Sequence, residues 1–308
     1  MIHIFVLKTL NSFIHNLTDM LEEDYNIVEI SKVEEIRDSF QDIKQGDTLI
    51  IEWANELAQI ITNHIQNADE IKIIIRVHSY EAFDGYVELV NWDVVDKVIF
   101  VSKFVRDFVC KKFPDLKRKS FFIPNRINVN EFTFKSSFDI KKIAYVGHIN
   151  FKKGGMLLPH AMKALRDDFE FHILGDFQDI RLKLYFDAFM EKNPDINFKL
   201  YDWIPQEEVN NWLEDKDMIL CTSLLESQNL SVMQAMLKGI KPLIHHFVGA
   251  EYIYDKDFLW LDINSLRGKA LKNDYNPARY REFVKQYMYE GTDEQEFRRF
   301  LKGGTKQL

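Results

Sequence analysis

Glu226 and Gln234, with seven residues between them, stand in the stretch ESQNLSVMQ, which follows the apolar run DMILCTS and precedes AMLKGIKPLIHHF. The run reads as a strand and the periodic apolar positions after Asn229 read as a helix. A carboxylate at the carboxyl end of a strand and an amide on the first turn of the next helix can each hold hydroxyl groups. Gln228, Asn229 and Leu230 lead into that turn, whose N–H groups lack intrahelical partners and lie at the positive end of the helix dipole. Such an end receives phosphate well. The combination suits a sugar on one side and a nucleoside ribose on the other.

These residues need strands and helices to place them. Short apolar runs alternate with helical patterns from the first residue onward, the pattern of a parallel sheet covered by helices. The first half offers IHIFVL, YNIVEI, DTLIIEW, IKIIIRVH, DKVIFVS and SFFIP as strands, with amphipathic stretches such as ANELAQIITNHI, YVELVNWDVV and KFVRDFVCKKF between them. A polar stretch, NRINVNEFTFKSSFD, interrupts the alternation before it restarts at IKKIAYVGHI. The expected organisation is therefore α/β: a Rossmann-like domain over 1–137, a second over 138–274, and helices over 275–308 that pack on the domains. Ligands of doubly wound sheets bind at the carboxyl ends of strands, and two facing units put the crevice between them.

Composition narrows the function classes. The 308 residues, 46% hydrophobic and 29% charged with 12 Gly and 7 Pro, fit a two-domain globular chain. A net charge of −8 argues against broad nucleic-acid binding, which draws its affinity from phosphate neutralisation. The two cysteines, Cys110 and Cys221, are far apart and read as buried thiols of a reducing compartment. The amino terminus lacks the pattern of a secretion signal and no apolar run is long enough to span a bilayer, so a cytoplasmic protein is expected, with peripheral membrane contact as the variant of that expectation.

The segment TSLLESQNLSVMQAMLKGIKPLIHH resembles the donor-site signature of the GT-B glycosyltransferases of family 4 (glycosyl transferases group 1), matching at Ser223, Glu226, Ala235, Met236, Gly239 and Pro242. Gln234 stands where the family usually has Glu. YVGHINFKKGGMLLPHAM is similar to the family's V-G-R-x-x-x-x-K-G segment, with Lys153 and Gly154 in place and His148 in the position of Arg. IPNRINVNEF is similar to its hinge, with Arg126 in the position of Gly. The resemblance covers roughly residues 45 to 255 and implies a GT-B fold of two facing Rossmann-like domains. It further implies a retaining hexosyltransferase that takes a nucleotide-diphosphate sugar, UDP before GDP, and no metal or other cofactor. Lys153 would neutralise the donor diphosphate, helped by His148. Glu226 would accept hydrogen bonds from sugar hydroxyls and Gln234 from ribose hydroxyls, without the strength of a charged acceptor. His78, closing IIIRVHS, matches a His that the family places near the transferred sugar.

Outside that segment the readings divide. Glu52 and Asn55 in IIEWANEL are either acceptor contacts or, with Trp53, parts of a buried strand end whose Asn caps a helix. The basic run of Lys103, Arg106, Lys111, Lys112, Lys117, Arg118 and Lys119 is either a solvated helix face or a contact with anionic lipid or a charged acceptor. His245 and His246 are adjacent on a strand, point to opposite faces and do not suggest a metal site. The first strand, IFVLKTLNSF, is followed by no glycine-rich loop, a departure from the family on the acceptor side. The acceptor expected is a glycan, a lipid-linked saccharide or another hydroxyl compound. The alternatives are a non-catalytic relative that binds a nucleotide sugar or supports an active partner, and a transferase acting on nucleic acid.

Overall fold

Among the described residues the apolar runs become twelve strands in two separate parallel sheets. The computed structural model describes residues 1–303 apart from 22–23, 33–34, 41 and 67. In chain order the strands are β1 (Ile2–Leu7), β2 (Tyr25–Ile30), β3 (Thr48–Glu52), β4 (Lys72–Val77), β5 (Lys97–Phe100) and β6 (Ser120–Phe122). They continue with β7 (Lys142–Val146), β8 (Glu170–Leu174), β9 (Phe198–Tyr201), β10 (Met218–Cys221), β11 (Lys241–His245) and β12 (Leu259–Trp260). The chain divides into unit 1, Met1–Arg126 with Gly291–Leu308, and unit 2, Ile127–Glu290. The sequence places the boundary near residue 138. In the structure Ile127 and Phe132 already lie in the core of unit 2, so the polar stretch after Arg126 belongs to it.

Unit 1 has the sheet order β2-β1-β3-β4-β5-β6 and unit 2 the order β12-β11-β10-β7-β8-β9. The order reverses between β1 and β3 in the first and between β7 and β10 in the second, and at such switch points the crevice of a doubly wound sheet opens. The central strands of both sheets are buried on both faces, which is why they read as apolar runs, whereas the edge strands β2 and β9 are largely exposed. Along β4, Ile73, Ile75 and Val77 enter one core layer and Ile74 enters the other. Along β7, Ile143 and Tyr145 enter one layer and Ala144 the other. This is the period-two alternation of a strand with helices on each side.

The six strands read in the first half of the sequence are present, and DMILCTS supplies β10. The two-residue β12 is too short to carry a periodic signal, and the helix Ile263–Leu271 has no strong apolar stripe. YVELVNWDVV is not one helix but two single turns, Tyr86–Glu88 and Trp92–Val94. Asn91 interrupts it: its side chain caps the second turn, and its N–H donates to Thr62 Oγ1 at 3.1 Å. Among the described residues, no helix is long and apolar enough to cross a membrane.

The last two helices go to different units. Pro277–Tyr289 packs in the core of unit 2 through Tyr280, Val284 and Met288, whereas Glu294–Lys302 packs on unit 1. Phe297 is fully buried there with Ile2, Ile4 and Val6, its ring edge-on to Phe121 with centroids 5.8 Å apart. Lys72 Nζ donates to the Phe300 carbonyl at 3.2 Å and so satisfies the end of the helix. Phe297→Ala is expected to destabilise unit 1 by about 3–5 kcal/mol, the usual result of emptying a buried phenylalanine site. Urea unfolding followed by the signal of unit 1 checks this, and a loss below about 1 kcal/mol would mean that the helix does not belong to that layer.

Candidate functional site

At the switch point of unit 2 the loop after β7 meets the loop after β10. Leu224 N–H donates to the Lys152 carbonyl at 2.8 Å and Thr222 Oγ1 to the Lys153 carbonyl at 2.7 Å, which ties the two loops together. Asn150 Oδ1 accepts from Lys153 N–H at 2.8 Å and fixes the turn before the lysine. Gly154 then passes so close to β10 that a Cβ would lie 1.9 Å from the Thr222 carbonyl oxygen, and its φ of +68° lies in the left-handed region. The backbone thus aims the lysine before any side-chain contact is counted.

Lys153 Nζ donates to Glu226 Oε1 at 2.6 Å, and Ser223 Oγ donates to the same oxygen at 2.8 Å. The Glu226 side chain is 6% exposed and that of Lys153 26%. Burial pushes the Lys153 ammonium down, and the Glu226 charge with its hydrogen bond outweighs this, so the lysine is held above its ordinary range and stays charged. His245 Nδ1 lies 2.8 Å from the Ser223 carbonyl and anchors the loop from β11.

The helix Leu230–Leu237 starts beside this pair. Asn229 caps it, its Oδ1 accepting from Val232 N–H at 3.4 Å while its Nδ2 faces Cys221 Sγ at 3.3 Å. The buried Asn229 side chain is therefore committed to the fold. Gln228 is likewise buried, with Nε2 3.3 Å from Met233 Sδ. What the helix offers a ligand is backbone: the N–H groups of Leu230 and Ser231 have no partner among the described residues. Gln234, half-buried one turn on, makes no side-chain hydrogen bond among the described residues. His148 is half-exposed and its Nδ1 is paired with Asp176 at the end of β8, which holds the Asp176 carboxyl below its ordinary range. A carboxylate thus accompanies the group that stands in the position of Arg.

Unit 1 gathers a second cluster at the carboxyl ends of β3 and β4. Arg76 and Glu52 pair across the register, Nη1 to Oε1 at 3.0 Å, and His78 Nε2 lies 3.1 Å from the same oxygen. Glu52, Asn55 and Arg76 are fully buried. Asn55 caps the helix Glu56–His64 by accepting from Leu57 N–H at 3.0 Å. Neither Glu52 nor Asn55 presents a side-chain atom to solvent, which is the arrangement of the buried strand end weighed above. Burial pushes the Glu52 carboxyl up, and Arg76 with His78 brings it below its ordinary value. His78 is 3% exposed and its ring stacks on Trp53 with centroids 3.9 Å apart. Trp53 has φ of +74°, rare for a bulky residue, and is held by Nε1 donating to the Leu10 carbonyl at 2.9 Å. The segment after β1 therefore packs against Trp53, and Arg76 donates to its Phe13 carbonyl at 3.2 Å.

Glu81 is the buried carboxyl that the sequence reading missed. Its Oε1 accepts from Ala54 N–H at 2.8 Å and His78 N–H at 3.2 Å, tying the two strand ends together. The spacing His78-x-x-Glu81, that of a capping box, was the available signal. Burial raises the Glu81 carboxyl above its ordinary 4.5 despite those N–H groups. A folded value above the unfolded one gives stability that is complete below pH 4.5 and lost as pH rises through the folded value. Glu81→Gln keeps an oxygen for both N–H groups and is expected to gain on the parent protein as pH rises from 4.5. Melting temperatures of both proteins across that range check this, and parallel profiles would refute it.

The basic run of unit 1 is largely engaged. Arg118 pairs with Asp115 at 2.8 Å, Lys112 with Glu88, and Lys119 donates to the Trp92 and Val95 carbonyls at 3.2 and 2.8 Å.

Residues 140–265, which hold Lys153, Glu226 and the helix between β10 and β11, match the family model described as Glycosyl transferases group 1. The matched segment lies wholly within unit 2. Comparison with curated protein sequences gives no match. Among solved structures, TarM of S. aureus, determined with UDP and alpha-GlcNAc-glycerol, is 18% identical with a TM-score of 0.66, over 87% of this chain and 57% of TarM. The chain thus spans little more than half the length of that protein. Sucrose-phosphate synthase of Thermosynechococcus elongatus is 12% identical with a TM-score of 0.74, over 98% of this chain and 99% of the synthase. HepE of Anabaena, determined with UDP and glucose, is 13% identical with a TM-score of 0.72, over 98% and 99% of the two chains. At these identities the likeness is one of fold, and the α/β GT-B class expected from the sequence is what the two doubly wound units show.

Proposed function

We propose that this protein transfers a hexose from a nucleotide-diphosphate sugar, UDP before GDP, to the hydroxyl of a glycan, lipid-linked or other small acceptor, with retention at the anomeric carbon. The observation that carries the reading is the Lys153–Glu226 pair, 2.6 Å apart at the switch point of the group 1 domain and beside two open helix N–H groups. Charge grows on the diphosphate as the sugar leaves. An ammonium held protonated and a helix amino terminus are preorganised donors for that charge, so they stabilise the transition state more than the bound donor. Glu226 accepts from the sugar hydroxyls once the diphosphate draws Lys153 away. Gln234 accepts from the ribose through its amide oxygen, more weakly than a carboxylate would. Retention rests on the sequence resemblance alone. A cytoplasmic site of action, with or without contact with an anionic membrane, belongs to the same proposal, as does chemistry without a metal cofactor.

TarM and HepE, each determined with UDP, support the choice of nucleotide. The test is the melting temperature of the full chain with UDP, GDP and their hexose conjugates. A ligand present at a hundred times its Kd adds about 2.7 kcal/mol to the folded state. UDP is expected to raise the melting temperature and GDP to do so less. No shift with any nucleotide at millimolar concentration would overturn the reading. Binding without turnover would favour the second reading, a non-catalytic relative, for which the pairing of His148 with Asp176 is the specific observation.

A further inference from the structure

The two helices that follow β3 and β4 begin side by side. Glu52 and Arg76 are register partners in neighbouring parallel strands; Glu56 is the first helical residue after the cap Asn55, and Tyr80 is the second after the cap His78. Tyr80 is 40% exposed. Its hydroxyl donates to the Tyr86 hydroxyl at 2.8 Å, and the two rings lie with centroids 5.1 Å apart at 40°. The chain turns between them at Gly85, whose φ of +85° brings Tyr86 back beside Tyr80. Asp84 is exposed in that turn. Among the described residues, neither Glu56 nor Asp84 has an ion-pair partner, and both carboxylates act on the Tyr80 hydroxyl, which the Tyr86 bond holds far above its ordinary range.

We propose that Tyr80 and Tyr86, flanked by Glu56 and Asp84, form an acceptor subsite for a neutral, hydroxyl-rich oligosaccharide. This rests on the glycosyltransferase reading and names the acceptor class. The tilted ring pair offers an apolar face to the C–H face of a sugar, at low entropic cost because the hydroxyl bond already fixes both side chains. The Tyr86 hydroxyl retains a proton to donate, and the two carboxylates accept from sugar hydroxyls. The same carboxylates repel phosphate-bearing acceptors, since a like charge beside a ligand lowers its affinity. Only Ser79 separates Tyr80 from His78, so the subsite adjoins the carboxyl edge of the unit 1 sheet.

The test is saturation-transfer NMR on the full chain with three probes: chitotriose, maltotriose and a glycerol-phosphate trimer. Binding of at least one neutral trisaccharide is expected, and of the anionic trimer not. Tyr80→Ala should weaken the neutral probe about tenfold, and Tyr86→Phe, which removes the hydroxyl bond to Tyr80 and the proton offered to the sugar, by a few-fold. Glu56→Lys with Asp84→Lys, a change of charge at surface positions, should reverse the preference toward the anionic trimer. Stabilisation by UDP is measured on every variant. If it persists while no neutral trisaccharide binds the parent protein at millimolar concentration, the subsite is refuted and the transferase reading stands. Unchanged trisaccharide binding in Tyr80→Ala also refutes it. If UDP stabilises no form, the transferase reading itself fails.

Discussion

Lys153→Ala is expected to lower kcat/KM by about two to three orders of magnitude, the range seen when one preorganised donor to a developing anion is removed. Two effects add. The substitution deletes the cation that the proposed function sets against the diphosphate, and it leaves Glu226, whose side chain is 6% exposed, with Ser223 as its donor among the described residues. Nucleotide stabilisation should therefore vanish along with turnover. Lys153→Ala with Glu226→Gln separates the two effects, because the amide removes the residual negative charge. The double variant should recover part of the UDP-induced melting shift but little turnover. A single variant that retains the full shift would mean that the diphosphate lies elsewhere.

Gly154→Ala is expected to be as damaging, through the backbone. A methyl group at this position would lie 1.9 Å from the Thr222 carbonyl oxygen, an atom of a buried strand end that cannot swing aside. The φ of +68° adds strain of its own. Either the loop after β7 leaves β10, breaking the bonds from Leu224 and Thr222, or unit 2 loses about 3 kcal/mol or more. Both outcomes remove UDP binding, since the adjacent lysine is aimed by that turn. Gly268→Ala is the matched control. It lies inside the helix Ile263–Leu271 with open space around it, and the same change should stabilise by about 0.5–1 kcal/mol. Urea unfolding of the two variants checks the contrast, and equal midpoints would show that the close approach at Gly154 is not a constraint.

Much of this architecture was legible because the central strands of both sheets are covered on both faces and so appear in the sequence as mainly apolar runs such as IKIIIRVH. Lys153, Gly154 and Glu226 were legible by their order along a patterned segment. Contacts made through space were not. Asp176 as the partner of His148, and Glu52 as the shared partner of Arg76 and His78, join residues 24 to 28 positions apart, and only the strand register brings them together. Arg76 carried a usable hint, since a charge inside a fully apolar strand requires a buried partner. The Tyr80–Tyr86 pair was hidden because YVELVNWDVV has helical periodicity, whereas Asn91 and the Gly85 turn break it into separate turns.

The return of Glu294–Lys302 to unit 1 has a consequence for biosynthesis. Unit 2 is one uninterrupted stretch of chain and can complete its fold as soon as residue 290 clears the ribosome. Unit 1 is begun first and finished last. Until Phe297 arrives, the layer around Ile2, Ile4 and Phe121 stands open while the ribosome makes all of unit 2. At about 5–20 residues per second that interval lasts on the order of ten seconds or more, long enough for the exposed layer to be a target for chaperones that hold nascent chains.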